Sequence, residues 1–249
     1  MATAGHTFLA KLGKKRLRPG GIEATTWLLD KGEFNKDKKV LEVACNMGTT
    51  LIEVASKYHC SMTGVDLDKE ALSKAEKNVK EAGLSDTITL VFANAMKLPF
   101  EDNSFDIIIN EAMLTMFDNR AKSKALAEYY RVLKPGGKLL TLDIALKKDN
   151  SKEQEDGLHN AIKIKANPLT VVDWKKLYNE AGFKKLEAKI GDMSLMTPRG
   201  MIRDEGLKGT FNIIRNGLKS ENKEQFIGMF KYFKQEKKNM NYIAHCAEK

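Results

Sequence analysis

The sequence predicts an α/β fold, a doubly wound and mostly parallel sheet with helices on both faces. Three observations carry that expectation. From Lys38 to Ala145, short apolar runs alternate with amphipathic segments, the pattern of parallel strands joined by crossover helices. Ile107-Ile108-Ile109 is continuously apolar, as a strand covered on both faces must be. Turn-forming residues, among them Gly48, Gly83 and Pro135-Gly136-Gly137, fall where these runs meet.

The elements follow in order. Val40 to Ala44 reads as a short buried strand, with a loop to Gly48 and a helix from about Thr50 to Tyr58. Met62 to Val65 is the second strand. The helix Lys69 to Ala82 places Ala71, Leu72, Ala75 and Val79 on one face, with Gly83 as its stop. Ile88 to Phe92 and Phe105 to Asn110 are strands three and four. A helix through Leu126, Tyr130 and Leu133 ends at Lys134-Pro135-Gly136-Gly137, read as a turn that feeds a fifth strand, Lys138 to Ile144. Lys147 to Asp156 is a charged stretch, an exposed loop or the start of a helix. Thr170-Val171-Val172-Asp173 has the form of a helix N-cap with its reciprocal acid, and Gly182 closes that helix. Phe183 to Ile190 supplies a sixth strand and Asn241 to Ala247 a last one. Asp192 to Lys238 between them is helical and rich in Met. With no internal repeat and no second core in view, one domain is expected over residues 1–249: a seven-stranded sheet with a C-terminal helical insertion as cover.

Composition narrows the function classes. A chain of 249 residues, 42% hydrophobic and 30% charged, is a soluble globular protein able to bury a full core. No apolar run approaches the roughly 20 residues that span a bilayer. Met1 to Pro19 lacks the pattern of a secretory signal. Cys45, Cys60 and Cys246 are odd in number and show no CxxC spacing, so free thiols in a reducing compartment, the cytoplasm, are expected. The four scattered histidines offer no metal site. The net charge of +9 comes mostly from solvated helix faces such as Asp68-Lys69-Glu70. The first 22 residues differ, with Lys11, Lys14, Lys15, Arg16 and Arg18 and no acid. They leave open a solvated surface or an anionic ligand or partner.

The chemistry concentrates in Val40-Leu41-Glu42-Val43-Ala44-Cys45-Asn46-Met47-Gly48-Thr49. A strand running through a tight loop into a helix N-terminus exposes backbone donors at the strand's carboxyl end. About 20 residues on, the second strand ends in Asp66, a carboxylate placed to accept from a ribose diol. Asn tolerates positive φ, so Asn46 is expected to hold a left-handed position. Cys45 reads as a small packed residue, since no His stands near it in sequence.

Glu42-x-Ala44-x-Asn46-x-Gly48 resembles the first motif of class I S-adenosylmethionine-dependent methyltransferases, an acid followed by three alternating glycines. Gly64-Val65-Asp66 is similar to that family's ribose-binding strand end, and Ala93-Asn94-Ala95-Met96-Lys97-Leu98-Pro99-Phe100 to its adenine loop. Asn103-Ser104-Phe105-Asp106 and Arg131-Val132-Leu133-Lys134-Pro135-Gly136-Gly137 continue the match in order over about residues 38–145. Ala44, Asn46 and Asn94 stand where the family has Gly, Gly and Asp. The tail from Thr170 to Lys249 is similar to the small-molecule branch, the type 11 group of ubiquinone- and menaquinone-biosynthesis-like enzymes.

The resemblance implies a Rossmann-like fold, S-adenosyl-L-methionine as cofactor with S-adenosyl-L-homocysteine as product, and a small-molecule acceptor. It divides the chain into an N-terminal helical lid (1–37), a cofactor-binding core (38–145) and a substrate-side insertion with the final strands (146–249). Cofactor contacts are expected from Glu42, Ala44, Cys45, Asn46, Gly48 and Thr49, from Asp66 and Leu67, and from Asn94, Ala95 and Met96. Asn110 and Glu111 after strand four, and Gly20 and Gly21 of the lid, complete the set. The segment Arg18-Pro19-Gly20-Gly21 also fits a turn that starts a helix. Glu111, Asp143 and His159 are the candidate general bases. Met193, Met196 and Met201 serve as core filling or as a substrate box. A lid over residues 193–207 would use Arg199, Arg203, Asp204 and Glu205 to orient an acceptor, one with negative charge included, with the acceptor cavity between residues 110–117 and 193–207.

Three alternatives stand beside this reading. A nucleic-acid (RNA) methyltransferase would use the basic N-terminus, although Asn110-Glu111-Ala112-Met113 is not the Asp/Asn-Pro-Pro-Tyr/Trp sequence that holds a base amine. A nicotinamide-dependent dehydrogenase needs GxGxxG where this chain has AxNxG. A non-catalytic S-adenosylmethionine-binding protein is the third. The oligomeric state is not legible in the sequence.

Overall fold

The computed structural model describes residues 4–148 and 152–249, without the side chains of residues 152–155. Residues 1–3, and part of the charged stretch expected over Lys147 to Asp156, lie outside the described residues. In chain order the elements are α1 (Gly5–Lys11), α2 (Gly21–Gly32), β1 (Lys39–Val43), α3 (Thr49–Tyr58), β2 (Ser61–Asp66), α4 (Lys69–Glu81), β3 (Ile88–Phe92) and β4 (Phe105–Glu111). A 3-10 turn (Leu114–Met116) leads to α5 (Asn119–Val132), β5 (Leu133–Leu146), α6 (Lys152–Ile162), β6 (Leu169–Thr170) and α7 (Val171–Glu180). The chain then forms β7 (Lys185–Asp192), α8 (Pro198–Gly217), α9 (Lys223–Glu236) and β8 (Met240–Glu248).

The sheet runs β3-β2-β1-β4-β5-β8-β7, with the two-residue β6 paired to β5 off that path. The strands from β3 to β5 are parallel, and β8 is antiparallel to both of its neighbours. The order reverses between β1 and β4, which opens a crevice at their carboxyl ends. Their burial is nearly continuous, because α2, α3 and α4 cover one face of the sheet and α5 and α7 the other.

Local signals explain the element ends. The Asp68 carboxylate accepts from the Glu70 and Ala71 N–H groups to start α4, and Gly83 leaves that helix at φ +69°. Thr170 caps α7 by accepting from Asp173 N–H. Pro135-Gly136-Gly137 is a correction to the sequence reading. It is not a turn before the fifth strand but a bulge inside it, since Leu133 pairs with Phe105 and Lys138 already with Ile107. Gly136 sits at φ +73°, and a Cβ on Gly137 would come within 2.9 Å of the Asp106 carbonyl.

Above the carboxyl ends of the strands, α1, α8 and α9 share an apolar cluster of their own, with Phe8, Leu9, Met196, Met201, Ile213 and Phe226. The cover therefore has a core that is separate from those of the sheet.

Candidate functional site

Between the strand ends and this cover lies a cavity of about 310 Å³. Its two walls differ in chemistry. Glu42, Asn46, Thr49, Thr50, Asp66 and Glu111 form a polar wall from the ends of β1, β2 and β4 and the start of α3. Leu9, Met113, Met116, Ile144, Met193 and Met229 form an apolar one.

The loop after β1 is built on alternating left-handed residues: Ala44 at φ +59°, Asn46 at +48° and Gly48 at +77°. The geometry expected for Asn46 is present, and Ala44 shares it. This backbone turns the Asn46 N–H onto Asp66 Oδ2 at 2.9 Å, while Asp66 Oδ1 accepts from Asp68 N–H at 2.9 Å. Each carboxylate oxygen keeps a lone pair for a further donor. Left-handed backbone costs a residue with a Cβ about 1–2 kcal/mol. Asn46→Gly should therefore retain or raise stability in urea, and Asn46→Val should lower it by about 1–2 kcal/mol. Equal stability of the two variants would show that the loop does not impose this conformation.

Arg18 joins the polar wall to the N-terminal segment. Its Nε lies 2.6 Å from Glu111 Oε2, and its terminal nitrogens donate to the hydroxyls of Thr25 and Thr50. One guanidinium thus faces two buried carboxyls, Glu111 and Glu42. Burial, opposed by Arg18, pushes Glu42 up to about 8 and raises Glu111 as well. Glu42 Oε2 and Glu111 Oε1 are buried with no hydrogen-bond partner. His6 of α1 lines the same region; burial lowers its pKa, against the pull of the Asp66 and Asp68 charges.

Of the expected cofactor residues, the cavity wall gathers Glu42, Ala44, Cys45, Asn46, Thr49, Asp66 and Glu111. Cys45 is packed and its thiol pushed up by burial. Gly48, Leu67, Asn94, Ala95, Met96 and Asn110 stand outside the wall. Asn94 Oδ1 accepts from Met96 N–H at 2.9 Å, which shapes the loop after β3. Asn110 is buried and donates to the Val43 carbonyl, tying β4 to β1.

Gly20 and Gly21 also lie off the wall, for a steric reason. A Cβ on Gly21 would come within 2.3 Å of the Asp204 carboxylate, and α2 begins there. The turn reading of Arg18-Pro19-Gly20-Gly21 holds for its glycines, while Arg18 and Pro19 face the cavity.

The candidate bases separate. Glu111 lies on the wall but is bound to Arg18. Asp143 is wholly buried and accepts from both N–H and hydroxyl of Thr115, at 2.7 and 2.8 Å. It thereby pins the 3-10 turn between Met113 and Met116. Burial pushes its pKa up to about 7. His159 is exposed on α6 and does not line the cavity.

The polar residues of the expected lid are corrected as well. They do not face the cavity but clasp the N-terminal segment. Glu205 accepts from the Lys15 and Arg16 N–H groups at 3.0 Å and from Lys14 Nζ at 3.3 Å. Asp204 accepts from Ile22 N–H, and Arg203 pairs with Glu23. Lys14, Arg16 and Arg18, part of the basic N-terminal run, are thus committed to Glu205, Glu53 and Glu111. Met193 lines the cavity, whereas Met196 and Met201 fill the cover's core. Leu9, Met116 and Met229 were not singled out in the sequence, where nothing distinguishes them from ordinary core residues. Among the described residues, no group of three or more His, Cys, Asp or Glu side chains could hold a metal.

The chain is similar to known proteins in sequence and in fold. A family model described as "Methyltransferase domain" matches residues 40–137. An uncharacterized protein of Haemophilus influenzae is 53% identical over 245 residues, 98% of each chain. The uncharacterized methyltransferase YodH of Bacillus subtilis is 31% identical over 183 residues, 72% of this chain and 74% of its own length. In fold, the chain is similar to Haemonchus contortus phosphoethanolamine N-methyltransferase 2 in complex with S-adenosyl-L-methionine. That likeness has a TM-score of 0.78 at 20% identity and covers 98% of this chain and 56% of that one.

Proposed function

The chain is a class I S-adenosylmethionine-dependent methyltransferase, and from that premise we propose that it methylates a small, apolar acceptor. One observation carries this reading: a single cavity joins a polar wall fit for the cofactor to an apolar wall that offers little to a charged acceptor.

The polar wall suits the cofactor's parts. Asp66 retains acceptor capacity for two ribose hydroxyls. The orphaned oxygens of Glu42 and Glu111 suit the methionyl ammonium, and the left-handed backbone at residues 44, 46 and 48 lets that part of the ligand approach closely. The loop of Asn94, Ala95 and Met96 follows β3 beside Asp66, and we assign the adenine to it although it stands outside the cavity wall. Bound there, S-adenosylmethionine supplies an electrophilic methyl group on its sulfonium.

The protein's own contribution is position and dryness. Met113, Met116, Ile144 and Met193 exclude water from the transfer site and hold the acceptor by its apolar surface. Asp143 acts beneath them by holding the turn that carries two of the methionines. Among the described residues the cavity's carboxylates lie on the polar wall, and its one imidazole is that of His6 on α1, the helix that also carries Leu9. An acceptor here either needs no protein base or gives its proton to His6. The three buried free cysteines suit a reducing, cytoplasmic setting, and no described helix is long and apolar enough to cross a membrane.

Incubation with methyl-labelled S-adenosylmethionine and a fractionated metabolite extract tests the reading. Label should enter organic-soluble products. Met116→Glu should raise the acceptor KM at least about tenfold, by burying an unpaired charge against an apolar ligand, while S-adenosylhomocysteine affinity stays within about twofold. Label found in nucleic acid or in polar metabolites, or an unchanged KM, would overturn it.

A further inference from the structure

The C-terminal half of α8 carries an apolar face that the cover does not use. Leu207, Phe211, Ile214 and Leu218 follow one another at steps of four, three and four residues, so they lie on one side of the helix. They are exposed by 75%, 64%, 37% and 51%. Thr210, Ile213 and Gly217 on another side are buried, Ile213 in the cover's cluster and Gly217 against Phe226. The helix is thus anchored by one face and shows a line of large apolar side chains on another, an arrangement that marks an interaction site. Gly206, at φ 71° and ψ 174°, breaks α8 just before the stripe. The first half clasps the N-terminal segment, and the second is free to follow a different surface.

Charge selects the occupant. Lys208, Arg215 and Lys219 flank the stripe, and residues 207–220 contain no acid. The acids on either side are engaged elsewhere: Asp204 and Glu205, before the stripe, hold the N-terminal segment, and Glu221, after it, follows Lys219 and feels it and Lys11. We propose that this half of α8 is a docking face for a bilayer surface of anionic phospholipid. Its apolar stripe enters the headgroup boundary, and Lys208, Arg215 and Lys219 pair with lipid phosphates. A second copy of this chain fits less well. A two-fold interface would set Lys208 and Arg215 against the same side chains of the partner, with no acid on the stripe to separate them. Docking also places the cover against the lipid, since Asn216 of α8 holds the Leu12 carbonyl next to α1, and α1 lines the cavity. The proposal stands on the stripe and its charges alone, and does not rest on the apolar acceptor.

Flotation of the full chain with phosphatidylcholine vesicles, with and without about 30% phosphatidylglycerol, tests it. The protein should float with the anionic vesicles and dissociate as salt rises to about 0.5 M. Phe211→Glu and the pair Lys208→Glu, Arg215→Glu should each weaken flotation at least about tenfold. All these positions are exposed, so thermal unfolding and S-adenosylhomocysteine binding should match the wild type, which keeps this outcome separate from the methyl-transfer reading. Three results overturn the proposal: no flotation of the wild type, equal flotation of the variants, or a dimer in sedimentation velocity that Phe211→Glu converts to monomer. The last would assign the stripe to a second copy.

Discussion

Replacing Glu205 by alanine should lower the free energy of unfolding by about 3–5 kcal/mol, the range for breaking a buried charge pair from one side. Lys14 and Glu205 have side chains 0% and 3% exposed. Without Glu205, the ammonium of Lys14 keeps only Asp204, at 3.8 Å, and the Lys15 and Arg16 N–H groups lose their acceptor. The same residue fastens the N-terminal segment, which puts His6, Leu9, Arg18 and Pro19 on the cavity wall. Cofactor affinity should therefore fall together with stability. Glu205→Gln keeps acceptor oxygen but not charge, and should lie between wild type and alanine. Urea unfolding decides the point, and a loss under about 1 kcal/mol for Glu205→Ala would mean that the clasp does not hold the segment.

Arg18→Met has the second large effect, and its size should depend on pH. Arg18 is the cation beside Glu111 and Glu42, and removing it takes the main counter-charge from two buried carboxyls, leaving Glu111 only the lesser pull of Arg16. In the wild type Glu42 is already raised from 4.5 to about 8. A carboxyl raised on folding keeps a proton that the unfolded chain releases. Its contribution is therefore complete below pH 4.5 and is lost as pH rises toward 8, at up to about 1.4 kcal/mol per unit. Asp143, raised from 3.8 to about 7, has the same sign over its own window. Without Arg18 both glutamates rise further and the decline steepens. The substitution should cost about 3–5 kcal/mol at pH 8 and no more than roughly half of that at pH 5, where protons replace the guanidinium. Equal costs at the two pH values would contradict the shared-cation arrangement.

How far the sequence speaks depends on where each signal resides. β1 and β4 were legible because strands covered on both faces are continuous apolar runs. Asp66 and Asn46 were legible because each residue type does something specific at a strand end or at positive φ. Ala44 gave no such sign; its left-handed backbone is imposed by the loop it shares with Asn46 and Gly48, not by its side chain. Pro135-Gly136-Gly137 was misplaced because turn residues also make bulges, and only the pairing of β4 with β5 distinguishes the two. The clasp was hidden by distance. Lys14 and Glu205 lie at opposite ends of the chain, and each alone looks like solvated surface. The cover's core was hidden in the same way, since Leu9, Met201 and Met229 meet only after the sheet has formed. Asp143, expected as a base, lies one layer beneath the cavity, a distinction of depth that alternation along a strand does not reveal.

The central claim is that the polar wall around Asp66 holds S-adenosylmethionine. Calorimetric titration with S-adenosylhomocysteine, of the wild type and of Asp66→Ala, tests it most directly. The wild type should bind one equivalent. The variant should bind about 1.5–3 kcal/mol more weakly, roughly 10- to 150-fold, because two hydroxyls lose a charged acceptor. No binding to the wild type, or equal affinity in the two proteins, would contradict the account.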